Sequence, residues 1–480
     1  MRIAMIGTGY VGLVSGACFA QAGHQVTCVD IDCAKVAMLN SGGVPICEPG
    51  LAEIIAEGRR KATLRFSSDV QATAAAAQAI FVAVGTPSKE SDGHADLSGL
   101  YRAIEEIAPA LRRGCLVVIK STVPIGTGDE VDLMIRRLRP GPAFEVASNP
   151  EFLRAGCAIT DFTSPDRVVI GAESDRALVI LRSLYHEMGI DGARIVATQR
   201  RSAELIKYAA NGFLATKIAF INEIADLCES VDARVSDVAL GIGLDNRIGK
   251  QSLSPGPGFG GSCFPKDAKA LVKAGEDHGT PMRIIEAVLA SNERRKRSIA
   301  AKVRAASGGD VRGKRIALFG LTFKAGTDDM RDSPSIALAH ALVEGGATVH
   351  AYDPVGVERA RPLLPKCVRY HATALDAAHG AHMAVVVTEW DEFRELDFAM
   401  LKQQMMTPLL VDLRNMFSKE RMTGSGFKYW GVGKGSSFIE ERALSISLRR
   451  RSATGGGYRA RHESDELSPM PFSQSIAAAE

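Results

Sequence analysis

The sequence predicts an α/β fold in which two Rossmann-like domains are joined by a long central helix. Short apolar runs rich in β-formers alternate with helical stretches up to about residue 200, and a long proline-free stretch follows. Strand-like runs return after residue 306. Alternation of strands and helices is typical of a parallel sheet with helices on both faces. At 480 residues, the chain is long enough for two or three domains.

Composition argues against several classes of function. A net charge of +3 provides no strong basic field for nucleic acid, and no apolar run reaches the roughly 20 residues that span a bilayer. The nine cysteines show no metal-ligand spacing, which predicts no metal site. An odd number of cysteines and no export signal predict reduced thiols and a cytoplasmic protein.

The first predicted domain covers residues 1–200 and contains a regular series of strands. Each candidate is a short run of apolar residues, bounded by polar residues or glycine. These strand candidates are Arg2–Ile6, Gln25–Val29, Ala79–Val84, Leu116–Lys120 and Glu145–Ala147.

A glycine-rich turn follows the first strand. Gly7-Thr-Gly-Tyr-Val-Gly12 matches G-x-G-x-x-G, and its members Gly7, Gly9, Tyr10, Val11 and Gly12 are candidate dinucleotide contacts. Asp30 ends the second strand, where a carboxylate accepts from a ribose 2′-hydroxyl and repels a 2′-phosphate. The sequence therefore predicts NAD rather than NADP. Lys35 either offsets part of that repulsion or is a solvated helix lysine.

Two threonines follow later strands of the same domain. Thr86 lies in Gly85-Thr-Pro87, and Thr122 lies in Lys120-Ser-Thr-Val-Pro124. The carboxyl ends of the strands in an open α/β sheet line the ligand crevice, so both are candidate cofactor contacts. Ordinary turn chemistry explains the glycine and the prolines equally well.

The sequence pattern becomes helical from Ser202 to Leu240, where apolar residues recur at helical spacing. The pattern predicts one long, largely buried helix, and a second helical stretch from Lys266 to about Arg304. Lys207 and Asn211 stand four residues apart, on one face of the first helix. Because their neighbours in the sequence are apolar, these two side chains would need a polar partner if this face is buried. The alternative is that they form a solvent-exposed stripe on the helix.

The loop between these helical stretches contains a candidate nucleophile. Cys263 lies in Phe259-Gly-Gly-Ser-Cys-Phe-Pro-Lys-Asp267, where small residues keep the loop open. Lys266 would favour a thiolate, whereas Asp267 would raise the thiol pKa and suits a water or an alcohol better. A buried structural cysteine is the alternative. A hydride acceptor and a thiol together indicate oxidation beyond an aldehyde, through a thioester.

The last part of the chain returns to strands. Lys314–Gly320 and Ala347–Asp353 repeat the pattern of the first domain, but Gly320-Leu-Thr-Phe-Lys324 replaces the three glycines. The second Rossmann-like domain, at residues 306–437, is therefore expected to hold a nucleotide differently. Residues 438–480 contain Arg449-Arg-Arg451, Gly455-Gly-Gly457 and an end rich in serine and alanine, which predicts a disordered tail.

Residues from Met1 to about Gly433 resemble the UDP-glucose 6-dehydrogenase family. The resemblance is carried by Gly7–Gly12, Val29-Asp30, Asn149-Pro-Glu-Phe-Leu-Arg154, Lys207-Tyr-Ala-Ala-Asn211, Gly241–Asp245 with Arg247, Phe259–Asp267, Gly320–Lys324 and Asp328–Arg331. It implies oxidation of C6 of UDP-glucose to UDP-glucuronate with two NAD, through a thiohemiacetal and a thioester on Cys263 and then hydrolysis. It also implies a homodimer built on the central helical region, residues 201–305, or a higher oligomer.

The resemblance also implies a role for each matched position. Cys263 would be the nucleophile, Lys207 and Asn211 would stabilise the oxyanion, and Asp267, Glu151 and Thr122 would manage water and protons. Lys266 and Arg331 would reach NAD, with Glu151 and Thr122 beside it. The implied substrate contacts are Glu151, Phe152, Leu153, Arg154, Lys207, Asn211, Ser252, Leu253, Ser254, Pro255, Gly256, Phe259, Gly260 and Lys324, with Arg247 arriving from a neighbouring subunit.

Three alternatives remain open. A sibling enzyme would act on GDP-mannose or a UDP-N-acetyl sugar, and a nucleotide-sugar sensor would lack the thiol or its partners. A dehydrogenase that stops after one hydride would not need the thiol.

Overall fold

The computed structural model describes residues 1–89, 93–141 and 143–434. The predicted tail at 438–480, and the last residues of the predicted C-terminal domain, lie outside this part of the chain. The predicted fold class is confirmed within it: two mainly parallel sheets flank a long helix. The predicted domain boundaries at residues 200 and 305 stay predictions.

The first sheet has eight strands in the order 3-2-1-4-5-6-7-8. The first six form the Rossmann order and are parallel throughout, and only the sixth and seventh strands run antiparallel to each other. The strands are β1 Arg2–Ile6, β2 Gln25–Val29, β3 Leu64–Ser67, β4 Ala79–Val82, β5 Leu116–Ile119, β6 Glu145–Ser148, β7 Val168–Ala172 and β8 Ile195–Thr198.

Helices cover both faces of this sheet and bury its apolar side chains in two clusters. The helices are α1 Tyr10–Gln21, α2 Cys33–Ser41, α3 Leu51–Arg60, α4 Val70–Ala76, α5 Ser98–Ile107, α6 Thr127–Leu138, α7 Ala158–Thr163 and α8 Asp175–His186.

The long helix is α9, Arg200–Val231, and it is shorter than predicted. It ends where Asp232 takes the left-handed conformation, with φ 58°, and a separate helix α10, Val235–Gly243, follows. The expected burial is also wrong for one face of α9, because Leu205 is 44% and Phe213 is 65% exposed. Helical periodicity alone does not separate a face that meets the core from one that meets another surface.

The predicted helix from Lys266 to Arg304 is two helices, α11 Phe264–Asp277 and α12 Arg283–Ala306. The break contains Gly279 in a left-handed conformation, followed by Pro281, which has no backbone N–H to donate. Cys263 lies directly before α11, so the cysteine loop leads into the start of that helix.

Six parallel strands make the second sheet, in the order 11-10-9-12-13-14, which repeats the Rossmann order of the first. The strands are β9 Arg315–Phe319, β10 Thr348–Tyr352, β11 Arg369–Tyr370, β12 Met383–Val386, β13 Leu409–Asp412 and β14 Lys428–Gly431. Its helices are α13 Pro334–Glu344, α14 Val357–Ala360, α15 Ala374–Ala378, α16 Phe398–Gln404 and α17 Lys419–Gly424.

Helix α9 packs on both sheets. Near its start, Ala203 lies so close to Gly171 of β7 that a Cβ on that glycine would meet it at 2.6 Å. Near its end, Ile221, Ala225 and Cys228 belong to the apolar core of the second sheet. The middle of α9 therefore lies between its contacts with the two sheets. Every helix in the described part of the chain is too short or too polar to cross a bilayer.

Candidate active site

The glycine-rich turn has the backbone that a bound pyrophosphate requires. Gly7 adopts φ +96°, and a Cβ on Gly12 would lie 2.0 Å from the carbonyl oxygen of Gly7. A Cβ on Gly9 would meet no atom within 4 Å, so that face of the turn is open. No side chain caps the start of α1. Open space beside uncapped backbone N–H groups fits a dinucleotide phosphate.

Asp30 lies next to this turn with most of its carboxylate engaged. Its Oδ2 accepts from Thr8 N at 2.9 Å, from the Thr8 hydroxyl at 2.6 Å and from Lys35 Nζ at 2.9 Å. Although burial opposes it, these hydrogen bonds and one from Asp32 N lower the pKa of Asp30 to about 2. Lys35 is therefore a partner of Asp30 and not simply a solvated lysine.

Tyr10 and the two threonines occupy defined positions around the turn. The hydroxyl of Tyr10 donates to Glu48, whose carboxylate also accepts from Gly156 N at 2.7 Å. The hydroxyl of Thr86 donates to the backbone oxygen of Thr122 at 2.7 Å. The hydrogen bond between Thr86 and Thr122 holds the loops after β4 and β5 together beside the glycine-rich turn. Loops at the carboxyl ends of neighbouring strands are expected to lie together in this way.

The cysteine loop is pressed against the second Rossmann-like domain. Gly261 N donates to the backbone oxygen of Arg331 at 2.7 Å. A Cβ on Gly260 would lie 2.3 Å from the backbone oxygen of Asp332, so only glycine permits this approach. Phe259 N donates to Asn292 of α12 at 2.8 Å. The thiol of Cys263 is thus positioned by both α12 and the second domain.

Two polar pairs extend from α9 toward this loop. Lys207 Nζ lies 3.2 Å from Glu151 Oε1, and Asn211 Nδ2 donates to Asp267 Oδ2 at 2.6 Å. All four residues are at most 6% exposed. The structure therefore supplies the polar partners that the helix pattern demanded, and the solvated-stripe alternative is wrong.

The electrostatic balance keeps Lys207 charged and Cys263 neutral. Although burial opposes it, Glu151, Asp267 and the thiol raise the pKa of Lys207. Burial raises the pKa of Cys263, and Glu151 and Asp267 raise it further. The cation that opposes this rise is Lys207, not Lys266 as the sequence suggested. Lys266 is instead paired with Asp267 at 2.7 Å.

A cavity of about 560 Å³ lies in front of these groups. Of the predicted residues, it is lined by Glu151, Phe152, Leu153, Arg154, Lys207, Asn211, Ser252 and Cys263. Arg154 is held by Asp161 at its rim, and the ring of Phe152 lies beneath Lys207 Nζ, 5.3 Å from the ring centre. The cavity brings the nucleophile and the candidate oxyanion donors into one space.

The remaining predicted contacts lie around the cavity without lining it. Ser254 is exposed, whereas Leu253, Pro255 and Gly256 are buried. Lys324 Nζ donates to the backbone oxygen of Ala155, bridging the two Rossmann-like domains. The Arg247 side chain is 90% exposed and pairs with Asp245. Arg331 pairs with Asp329 at 2.8 Å.

The second domain handles its strand-end carboxylate differently, as the sequence predicted. Asp353 is 3% exposed and accepts from Leu321 N, Gly356 N and the indole N–H of Trp390. A carboxylate buried this deeply is closed to a ribose, whereas Asp30 remains partly exposed. Asp30 and Asp353 are therefore not equivalent nucleotide contacts.

Sequence reasoning missed several polar residues around the site. Lys120 lines the cavity, and Arg167 stacks on Phe152 with its guanidinium carbon 3.7 Å from the ring centre. Gly256 N donates to Asn222 Oδ1 at 2.8 Å, and Arg295 Nε donates to Gly256 O at 2.9 Å. One signal was available for Lys120, because it follows β5 directly, as Thr122 nearly does.

Three family models match successive parts of the chain. Residues 1–189 match the NAD binding domain, residues 201–294 the central domain and residues 317–419 the UDP binding domain, all of the UDP-glucose/GDP-mannose dehydrogenase family. These segments contain the glycine-rich turn, the cysteine loop and Lys324, respectively.

Known proteins resemble this chain along most of its length. It is 53% identical over 438 residues to a UDP-glucose 6-dehydrogenase of Rhizobium meliloti, covering 90% of this chain and 100% of that protein. A solved UDP-glucose dehydrogenase from Pyrobaculum islandicum superposes with a TM-score of 0.82 at 36% identity, covering 91% and 98% of the two chains. A UDP-D-ManNAc dehydrogenase from Pyrococcus horikoshii superposes with a TM-score of 0.79 at 29% identity, covering 91% and 100%. Together, these matches show that the chain belongs to the UDP-glucose/GDP-mannose dehydrogenase family.

Proposed function

We propose that this chain oxidises C6 of UDP-glucose to the carboxylate of UDP-glucuronate, with NAD as the oxidant. The observation that carries this proposal is the shared cavity of Cys263, the Lys207–Glu151 pair and Asn211. A thiol beside fixed cationic and amide donors suits an oxidation that continues past the aldehyde.

NAD would be held by the turn from Gly7 to Gly12 and by Asp30, where the open face and the uncapped start of α1 fit its phosphates. When bound there, it supplies the hydride-accepting chemistry for both oxidations. Thr86 and Thr122 would support that site at the ends of β4 and β5, and Lys266 and Arg331 are the further side chains that would reach NAD.

The first oxidation removes a hydride and the hydroxyl proton from C6, leaving an aldehyde. Glu151 is the ionised carboxylate in the cavity that accepts such a proton, because Lys207 lowers its pKa against the effect of burial. Lys207 remains protonated and stabilises negative charge on the C6 oxygen, together with the amide of Asn211.

Cys263 Sγ then forms a bond to the aldehyde carbon as the S–H bond breaks, and the thiol proton reaches the C6 oxygen, which becomes the hydroxyl of a thiohemiacetal. Loss of a second hydride and the hydroxyl proton converts this thiohemiacetal to a thioester. Water attacks the thioester carbon, the carbon–sulfur bond breaks, and the sulfur regains a proton. Asp267 and Glu151 are the carboxylates placed to orient that water.

The rest of the nucleotide sugar would lie along the interface of the two Rossmann-like domains. The segment from Glu151 to Arg154 lines the cavity and would form one wall. The loop from Ser252 to Gly260, which reaches the cavity at Ser252, would form another. Lys324 comes from the second domain, where burial lowers its pKa, and an anionic substrate would favour its charged form.

The exposed apolar face of α9 supports a homodimer. Leu205, Phe213, Phe220, Leu227 and Val231 recur at intervals of four to eight residues, and each is 44–65% exposed. Arg247 projects into solvent beyond this face, which suits a side chain that enters the cavity of a second copy. All nine cysteines are free thiols, which supports the proposed cytoplasmic location.

We expect two NADH for each UDP-glucose consumed, because the thiol retains the aldehyde for a second oxidation. Absorbance counts the NADH, and mass spectrometry of the nucleotide sugar identifies the acid. One NADH per sugar, with free aldehyde as product, would contradict the thioester route. Parallel reactions with GDP-mannose and UDP-N-acetyl sugars decide between this substrate and those of the siblings.

Asp30→Ala should weaken NAD binding about tenfold and improve the relative use of NADP, since the change removes both a ribose acceptor and a repelling charge. Asp32→Asn is the matched control, because it removes a neighbouring charge and retains a side chain able to cap α2. With a pKa of about 2, Asp30 is ionised at all working pH values. The wild-type preference for NAD should therefore stay constant between about pH 5 and 9. Equal kcat/KM for NAD and NADP in the wild type would refute this role.

A further inference from the structure

Lys120 is a second buried lysine in the active-site cavity. It is 3% exposed and lines the same space as Glu151, Lys207 and Cys263. A buried ammonium is costly unless it has a partner, so a lysine at this depth needs an explanation.

The amide of Asn149 is the direct partner of Lys120. Lys120 Nζ donates to Asn149 Oδ1 at 3.1 Å and approaches the Asn149 backbone oxygen at 3.4 Å. The hydroxyl of Tyr185 donates to the same Oδ1, and Asn149 Nδ2 donates to Val169 O at 2.8 Å. Asn149 is thus fixed on three sides, and it leads through Pro150 directly into Glu151.

The charge of Lys120 also acts on the chemistry of the cavity. Lys120 and Lys207 both lower the pKa of Glu151. Burial lowers the pKa of Lys120 itself, Glu151 opposes this and Lys207 adds to it, with a net pKa of about 8. The other neighbours of Lys120 are neutral: Asn149, Tyr185 and the ring of Phe162, 5.6 Å from Nζ. Glu151 is therefore the carboxylate on which this charge acts.

We propose that Lys120 is a positioning residue for proton transfer at Glu151. It holds the turn from Asn149 to Glu151 and supplies a second positive charge beside the Glu151 carboxylate. Lys207 faces the reacting oxygen, whereas Lys120 acts through Glu151. This inference rests on the proposed function of Glu151 as the proton acceptor.

The test compares the pH dependence of kcat/KM in four forms of the full-length protein. Lys120→Met removes both the charge and the hydrogen bond, and Lys120→Arg retains a charge. Tyr185→Phe is the matched control, because it removes the other hydrogen bond to Asn149 Oδ1 without changing any charge on the turn. Loss of a nearby cation raises the pKa of a carboxylate, so the acidic limb of the Lys120→Met profile should move up by about half a pH unit or more. The limbs of Lys120→Arg and Tyr185→Phe should remain close to that of the wild type.

Two results separate this inference from the proposed function. An acidic limb that is unchanged in Lys120→Met, or that shifts equally in Tyr185→Phe, overturns the role of Lys120 and leaves the proposed function intact. Wild-type turnover by Glu151→Gln overturns the role of Glu151 and, with it, this inference. If Lys120→Met does not fold, Lys120→Gln removes the same charge and gives the same measurement.

Discussion

Replacing Cys263 with alanine should reduce formation of the acid by at least about 10³-fold, because a thioester needs a thiol and no other cysteine lines the described cavity. The side chain is small, and backbone contacts with the second domain hold its loop, so the walls of the cavity should keep their shape. We therefore expect the affinities for NAD and UDP-glucose to change by less than about threefold. Steady-state formation of UDP-glucuronate and calorimetric titrations of both ligands measure the two effects.

Cys367→Ala is the matched control for this experiment. Cys367 is an exposed free thiol that does not line the cavity, so its loss should leave acid formation unchanged. Acid production by Cys263→Ala near the wild-type rate would show that the oxidation does not pass through this thiol. A variant that loses both activity and ligand binding would point to a structural role for Cys263.

Two inactive variants should restore activity when their subunits are mixed. Cys263→Ala lacks the nucleophile, and we expect Arg247→Ala to lack a residue that completes the cavity of a second copy. A mixed dimer then has one intact site, formed by Cys263 of one subunit and Arg247 of its partner. Random reassociation makes half of the dimers mixed, so activity should recover to about one quarter of the wild-type value.

The outcome of mixing depends on which subunit Arg247 serves. If the arginine acts within its own chain, both sites of the mixed dimer remain defective and the mixture stays inactive. Phe220→Asp, on the exposed face of α9 and outside the cavity lining, should prevent assembly and abolish the recovery. Size-exclusion chromatography with light scattering reports the oligomeric state of each variant and of the mixture.

Family membership confirms several sequence expectations: an oxidoreductase, NAD as its cofactor and the α/β fold. The glycine-rich turn and Asp30 were recognisable from the sequence because the residues that form each feature lie close together in the chain. A turn that admits a pyrophosphate needs glycine at fixed spacing, and the acid stands at the end of the next strand. A parallel sheet also followed from the repeated alternation of strands and helices, although the antiparallel pairing of β6 with β7 did not.

Residue types and spacing by themselves determined the cofactor turn, the choice of Cys263 as the candidate nucleophile and the common face of Lys207 and Asn211. Only the tertiary structure decided the partners of these groups. Glu151 lies 56 residues before Lys207, and Asp267 lies 56 residues after Asn211, yet each pair is within hydrogen-bonding distance. The pKa of Cys263 depends on burial and on charges brought from three separate segments, so no local pattern reveals that Lys207, and not the nearby Lys266, opposes its rise. Lys120 was missed for the same reason, since burial and long-range charge exist only after the chain has folded.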